Sequence, residues 1–176
     1  AINERGYFHI AFETITKAHV EHGATTIFPT IGPATKVEIE NIISLCEEIM
    51  KDENTPVKGL HLVGPYLSET MTKHRYNVRV PNKEEYTNIV NSTDVIKRWD
   101  ASPELEGALD FAKCMKKHNI VTAISHTEAE FEDVEKAYNA GYTHAAQLYN
   151  SMPGFHKRRE YKYEGTVESV LLIDDM

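Results

Sequence analysis

Polar side chains that could bind a metal ion or transfer a proton follow several short β-like runs of this sequence. Six residues share this placement: His61, Glu104, His126, His144, Gln147 and Asn150. Imidazole serves both as a metal ligand and as a general base near neutral pH. Taken singly, His61 and His144 favour an ordinary packed and hydrogen-bonded role. His126 fits either role, because it ends an apolar strand.

The elements that would position these residues alternate between strand and helix. Apolar spacing predicts helices at 12–22, 36–50, 83–90, 131–139 and 166–176, and strands at 24–30, 57–63, 94–101, 120–125 and 143–149. Ser102 as N-cap with Pro103 after it predicts a further helix that runs to about His118. Segments 64–81 and 150–165 are predicted to be polar loops.

Strands separated by helices pair in parallel through right-handed crossovers, so the fold class is α/β. A doubly wound open sheet and part of a (β/α)8 barrel both fit this pattern. In either architecture ligands bind at the carboxyl ends of the strands. We expect a single α/β domain over residues 1–176.

Composition excludes several classes of function. Nineteen basic and 27 acidic residues give a net charge of −8, which argues against a nucleic-acid partner. No apolar run approaches the ~18 residues of a membrane span. The two cysteines, Cys46 and Cys114, form no CxxC motif and suit a reducing cytoplasm. No glycine-rich nucleotide fingerprint is present.

Six sequence blocks in one order carry a resemblance to a known family. They lie at 22–30 (HGATTIFPT), 59–68 (GLHLVGPYLS), 101–108 (ASPELEGA), 124–129 (ISHTEA), 140–152 (AGYTHAAQLYNSM), and 167–169 with 172–176. Together they resemble N-acetylglucosamine-6-phosphate deacetylases, metal-dependent TIM-barrel enzymes of the amidohydrolase superfamily. The resemblance implies a partial (β/α)8 TIM-type barrel of about five parallel strands with flanking helices. It also implies a central fragment of a longer enzyme.

The resemblance places the family's three metal-ligand positions on Val63, His126 and Gln147. The family binds a divalent metal, Zn²⁺ or Fe²⁺, and only His126 keeps the family residue. Valine has no lone pair to donate, and the neutral oxygen of Gln147 is a weak ligand for Zn²⁺. His126 and Gln147 are the candidate metal residues, in a site that we expect to be lost or weakened. The family's catalytic aspartate falls after Met176, so no catalytic residue is assigned.

The substrate-binding positions are better retained. Asn150 and Ser151 match the family segment that binds the sugar phosphate. Arg158 and Arg159 fall where the family has an arginine that meets the phosphate, and arginine suits bidentate phosphate binding. Without the resemblance, this Arg-Lys loop would be interpreted as a solvated turn. His74 lies near a further substrate contact of the family.

The resemblance implies a cytoplasmic enzyme of amino sugar and carbohydrate metabolism. It would hydrolyse the N-acetyl group of N-acetylglucosamine 6-phosphate to give acetate and glucosamine 6-phosphate. The substituted metal positions favour an alternative, a non-catalytic degenerate or truncated homologue that binds a sugar phosphate or only associates with other chains. Because uncovered parallel strand edges invite association, we also expect a homo-oligomer.

Overall fold

The computed structural model describes residues 4–73 and 75–176. The helices are α1 (Glu4–Glu21), α2 (Lys36–Ile49), α3 (Lys83–Ser92), α4 (Ala108–Lys117), α5 (Phe131–Ala140) and α6 (Thr166–Leu171). The strands are β1 (Thr30–Ile31), β2 (Leu60–Val63), β3 (Ile96–Ala101), β4 (Val121–Ile124), β5 (Tyr142–Ala145), β6 (His156–Arg158) and β7 (Tyr161–Tyr163). Within the described residues, no helix has the length and apolar character needed to cross a membrane.

The five-stranded sheet decides between the two predicted architectures. All of its neighbouring strands pair in parallel, in the order β1-β2-β3-β4-β5. A doubly wound sheet reverses its strand order at a switch point, and the described residues contain no such reversal. The sequential order confirms the predicted α/β class and corresponds to part of a (β/α)8 barrel.

Strand register determines which residues share a face of this sheet. Val63 of β2 pairs with Asp100 of β3. Paired residues of a parallel sheet project to the same face, and successive residues alternate between faces. Trp99 packs against the helices, so Asp100 and Val63 face the opposite side. In a closed barrel that side would be the interior.

The core between the sheet and helices α3 and α4 is centred on an aromatic cluster. The Trp99 ring stacks on Tyr66 at a centroid distance of 5.7 Å and meets Phe111 edge-on at 5.3 Å. Tyr86 packs edge-on against Phe111 at 5.4 Å. Trp99 Nε1 donates a 2.8 Å hydrogen bond to the carbonyl oxygen of Gly64. This bond ties the loop that follows β2 to the core.

Helix α2 begins where the sequence predicts it. The backbone N–H of Glu38 donates to the Oγ1 of Thr35 at 3.3 Å, and the N–H of Thr35 donates to Oε2 of Glu38 at 2.7 Å. Hydrogen bonds from Thr35 backbone and side chain lower the pKa of the Glu38 carboxyl. A cap of this kind stabilises a helix by about 1 kcal/mol.

The predicted start of the next long helix is wrong. Helix α4 begins at Ala108 after Gly107, which has a left-handed φ of 83°, and not at Pro103. Ser102 does not cap a helix, because its Oγ donates instead to the carbonyl oxygen of His126 at 2.7 Å. The Ser102 side chain is completely buried, so this tertiary contact overrides the local N-cap signal.

Several other segments differ from the predicted elements. Helix α1 begins at Glu4 instead of residue 12, β5 ends at Ala145 instead of residue 149, and α6 ends at Leu171 instead of residue 176. The strand expected at 24–30 is reduced to the two residues of β1, with a single further bridge from Ile27 to Val57. The segment expected to be a loop at 150–165 contains an antiparallel hairpin of β6 and β7. The hairpin strands have three residues each, too few for alternation to reveal them.

Candidate functional site

A cavity of about 380 Å³ opens at the carboxyl ends of the parallel strands. Val63 ends β2, His126 follows β4, and Gln147 follows β5. These three residues line the cavity together with Asn150 and Ser151 from the turn after β5. The structure therefore brings together both candidate metal residues and two of the candidate substrate-binding residues.

His126 is held firmly at the edge of the cavity. Its Nδ1 lies 3.0 Å from the carbonyl oxygen of Met71. Because a carbonyl only accepts, Nδ1 carries the proton and Nε2 is left as the nitrogen for a ligand. The backbone of His126 has a left-handed φ of 48°. Its carbonyl oxygen accepts hydrogen bonds from Ser102 Oγ and from the N–H of Ser68, which fix this unusual backbone.

Gln147 is held by the turn that it begins. It too has a left-handed φ, of 55°. The backbone N–H of Asn150 donates to the carbonyl oxygen of Gln147 at 2.8 Å. The Ser151 Oγ donates to the Gln147 side-chain oxygen, also at 2.8 Å. The amide oxygen that would replace an imidazole ligand is therefore already hydrogen-bonded within the chain.

The residues at the three metal positions do not fit a divalent metal ion. Val63 offers no donor atom, the oxygen of Gln147 accepts from Ser151, and only His126 provides a strong ligand. A single imidazole does not hold a divalent ion against water. No group of three His, Cys, Asp or Glu side chains in the described part of the chain is arranged to hold a metal.

Two other histidines singled out from the sequence, His61 and His144, do not line this cavity. The Nδ1 of His61 lies 2.9 Å from the Thr30 Oγ1. The His61 Nε2 lies 3.0 Å from an oxygen of Asp100, without the alignment of a hydrogen bond. His144 pairs with the hydroxyl of Thr143 next to it.

Glu104 links the loop between β3 and α4 to the segment that follows β4. Its carboxylate accepts hydrogen bonds from the Thr127 hydroxyl and from the N–H of Glu128. Burial raises the pKa of the Glu104 carboxyl, although both of these hydrogen bonds lower it. Glu104 therefore joins two loops instead of facing the cavity at the strand ends.

The two candidate arginines do not line the cavity. Arg158, in the β6–β7 hairpin, pairs with the carboxylate of Glu130, with one contact at 3.3 Å, and its guanidinium lies 5.1 Å from the Tyr163 ring centroid. Arg159 is exposed, with a left-handed φ of 55° at the hairpin turn. His74 lies outside the described residues.

Thr30 and Lys73 are among the lining residues that the sequence did not identify. Thr30 lies within the first resemblance block, and its place at the end of the strand predicted at 24–30 is the available signal. Lys73 belongs to the irregular segment between β2 and α3. No periodic pattern indicates which of its side chains turns towards the strand ends.

A parallel sheet wound in sequential order, with a cavity at the strand ends, defines the class as part of a (β/α) barrel. No family model matches the chain. It is 26% identical over 157 residues to the N-acetylglucosamine-6-phosphate deacetylase of Haemophilus influenzae, covering 88% of this chain and 41% of that protein. It is 33% identical over 106 residues to an Escherichia coli N-acetylgalactosamine-6-phosphate deacetylase, covering 58% of this chain and 28% of that protein.

Solved structures agree on the fold. The N-acetylglucosamine-6-phosphate deacetylase of Pasteurella multocida superposes with a TM-score of 0.84 at 23% identity, over 93% of this chain and 42% of that one. The Mycobacterium smegmatis enzyme, solved in complex with N-acetyl-D-glucosamine-6-phosphate, gives a TM-score of 0.74 at 24% identity, over 84% and 38%. This chain is homologous to part of the N-acetylglucosamine-6-phosphate deacetylases. It spans about two fifths of the length of those relatives.

Proposed function

We propose that this chain binds an acetamido sugar phosphate in the cavity at the strand ends and does not catalyse metal-dependent deacetylation there. The substrate class comes from the relatives, which are named as deacetylases of N-acetylglucosamine 6-phosphate and N-acetylgalactosamine 6-phosphate. The observation that carries the proposal is the replacement of two metal-ligand positions, by Val63 and Gln147, in a cavity that keeps Asn150 and Ser151.

The lost chemistry follows from the side chains. In metal-assisted hydrolysis a metal lowers the pKa of bound water to about 7, and a nearby carboxylate moves the proton. His126 alone does not hold such a metal, and among the described residues no carboxylate lines the cavity. The polar groups of the lining are hydroxyls, amides, one imidazole and the Lys73 ammonium, which bind and orient a sugar phosphate without cleaving its amide.

The competing function is deacetylation itself, which six blocks of resemblance support. An acetate-release assay with N-acetylglucosamine 6-phosphate and excess Zn²⁺ separates the two functions. A thermal-shift titration with the same compound runs in parallel. We expect a rise in melting temperature without acetate release. Release of acetate at a rate proportional to chain concentration would establish the enzyme and exclude the proposal.

We further propose that residues 1–176 form one α/β domain that associates with itself. In the described residues, β1 pairs only with β2 and β5 pairs only with β4, which leaves the outer edge of each of these strands without a strand partner. Unpaired edges favour pairing with another chain. Sedimentation equilibrium of the purified chain tests this. A mass that stays at 20.0 kDa across a hundredfold concentration range would exclude a homo-oligomer.

A further inference from the structure

We propose that the cavity at the strand ends is an anion site, in which the ammonium group of Lys73 holds the phosphate of the ligand. This inference rests on the proposed function and deepens it, because it names the group that recognises the charged end of the sugar phosphate. The family's cavity binds a divalent metal ion, whereas the cavity of this chain would bind an anionic phosphate.

The charges around the cavity carry the argument. Eleven described residues line it, and none of them has a carboxylate, although the chain as a whole carries a net charge of −8. Among these eleven, Lys73 has the one permanently charged side chain. A carboxylate-free cavity with a lysine at its edge is a local positive region on an acidic protein, and such a region concentrates anions.

The nearest acidic group in the sheet does not alter this charge balance. Asp100 is the register partner of Val63, but it is only 1% exposed. Arg98 binds its carboxylate through two contacts, Nε at 2.6 Å and Nη2 at 3.0 Å. The charge of Asp100 is therefore balanced by the Arg98 guanidinium.

The groups needed to bind an anion are available. Within residues 4–73 and 75–176, Lys73 makes no ion pair, and the side-chain amide of Asn150 makes no hydrogen bond. A lysine ammonium presents three donors on a flexible stem, and the amide nitrogen of Asn150 adds two more. Ser151 contributes less, because its hydroxyl proton is already donated to Gln147.

The arginine implied by the family resemblance is committed elsewhere. Arg158 pairs with Glu130 and lies over the Tyr163 ring, and Arg159 is exposed at the hairpin turn. Neither arginine lines the cavity. Lys73 therefore takes the place that the resemblance gives to Arg158 and Arg159. Lys73 lies in a different loop from these arginines, so the motif blocks do not indicate that a lysine replaces them.

Calorimetric titration of the full chain with N-acetylglucosamine 6-phosphate, unphosphorylated N-acetylglucosamine and inorganic phosphate tests the proposal. The variants are Lys73→Gln, Lys73→Arg as a charge-retaining rescue, and Lys51→Gln as a matched control. Lys51 is also an exposed lysine, it follows α2, and it does not line the cavity. Melting temperatures of all variants establish that each is folded.

We expect Lys73→Gln to weaken binding of the sugar phosphate at least about tenfold, as loss of a charged hydrogen bond does. Lys73→Arg should recover most of this loss, and Lys51→Gln should change nothing. Sugar-phosphate binding that stays within twofold in Lys73→Gln would overturn the role of Lys73 and leave the proposed function standing. Lys73-dependent binding of inorganic phosphate, with no gain from the sugar, would keep the anion site and overturn the proposed function. No binding of either phosphate compound would overturn both.

Discussion

Ser151 donates a hydrogen bond of 2.8 Å from its hydroxyl to the side-chain oxygen of Gln147, at a position where the resemblance places a metal-binding imidazole. The same two residues are joined by a backbone hydrogen bond of 3.2 Å from Ser151 N to the Gln147 carbonyl oxygen. The turn after β5 is thus closed internally by a neutral amide. The family side chain at this position binds a metal, whereas the Gln147 side chain stabilises the turn in this chain.

Restoring the two substituted ligands should restore metal affinity. We expect Val63→Glu combined with Gln147→His to raise Zn²⁺ affinity at least about tenfold, or ~1.4 kcal/mol, since carboxylate and imidazole are good Zn²⁺ ligands. Competition with a chromogenic chelator measures the affinity. The control is Val63→Gln with Gln147→His, which has the same shape without the carboxylate. If the carboxylate variant binds Zn²⁺ no better than this control, Val63 does not occupy the ligand position.

Arg158 should matter little for ligand binding. Its guanidinium is held by Glu130 outside the cavity, so Arg158→Gln should change the affinity for N-acetylglucosamine 6-phosphate less than twofold. The exposed ion pair itself contributes at most about 1 kcal/mol to stability. Titration calorimetry of the variant beside the wild type checks this. A tenfold loss of affinity would mean that the hairpin closes over the ligand and that Arg158 reaches the phosphate.

Replacing the central tryptophan should be costly. Trp99 is fully buried, stacked on Tyr66 and hydrogen-bonded to Gly64. We expect Trp99→Ala to lower the free energy of unfolding by about 3–5 kcal/mol. Urea denaturation followed by circular dichroism gives this value. Tyr76→Ala is the control, because that ring is 87% exposed and its loss should change stability by at most ~0.5 kcal/mol. Equal effects of the two changes would contradict the described core.

Glu104 should make stability depend on pH in a defined direction. Burial raises the pKa of this carboxyl above its ordinary value of 4.5, so the folded chain binds more protons than the unfolded chain between those two pKa values. The wild type should therefore lose stability relative to Glu104→Gln as pH rises from 4.5 through the raised pKa. Denaturation curves of both proteins across this range give the difference. A difference that moves the other way would show that the hydrogen bonds from Thr127 and Glu128 dominate the pKa.

Much of the fold was accessible from local sequence signals. The sequence predicts helix α5 to within a residue of its observed ends, because Phe131 starts a clear apolar periodicity and Gly141 stops it. The predicted start of α4 is wrong, because the Ser102 hydroxyl donates a hydrogen bond to the distant backbone of His126. Local sequence rules consider only residues that are close together in the chain, whereas this contact joins residues 24 positions apart.

The candidate site can be predicted from the sequence only in part. Its strand-end residues could be located, since motif order and parallel pairing place Val63, His126 and Gln147 at one edge of the sheet. The charged partner could not be located in this way. Whether Lys73 or Arg158 reaches the cavity depends on the paths of two irregular segments, and tertiary contacts such as the Arg158–Glu130 pair set those paths.

The central claim is that the cavity binds a sugar phosphate without a metal, and calorimetric titration of the EDTA-treated chain with N-acetylglucosamine 6-phosphate tests it most directly. We expect saturable binding whose affinity is unchanged when Zn²⁺ replaces EDTA. Binding that appears only after Zn²⁺ is added would contradict the claim and show that His126 has metal-binding partners in this chain. Absence of binding under both conditions would remove the sugar phosphate as the ligand of this cavity.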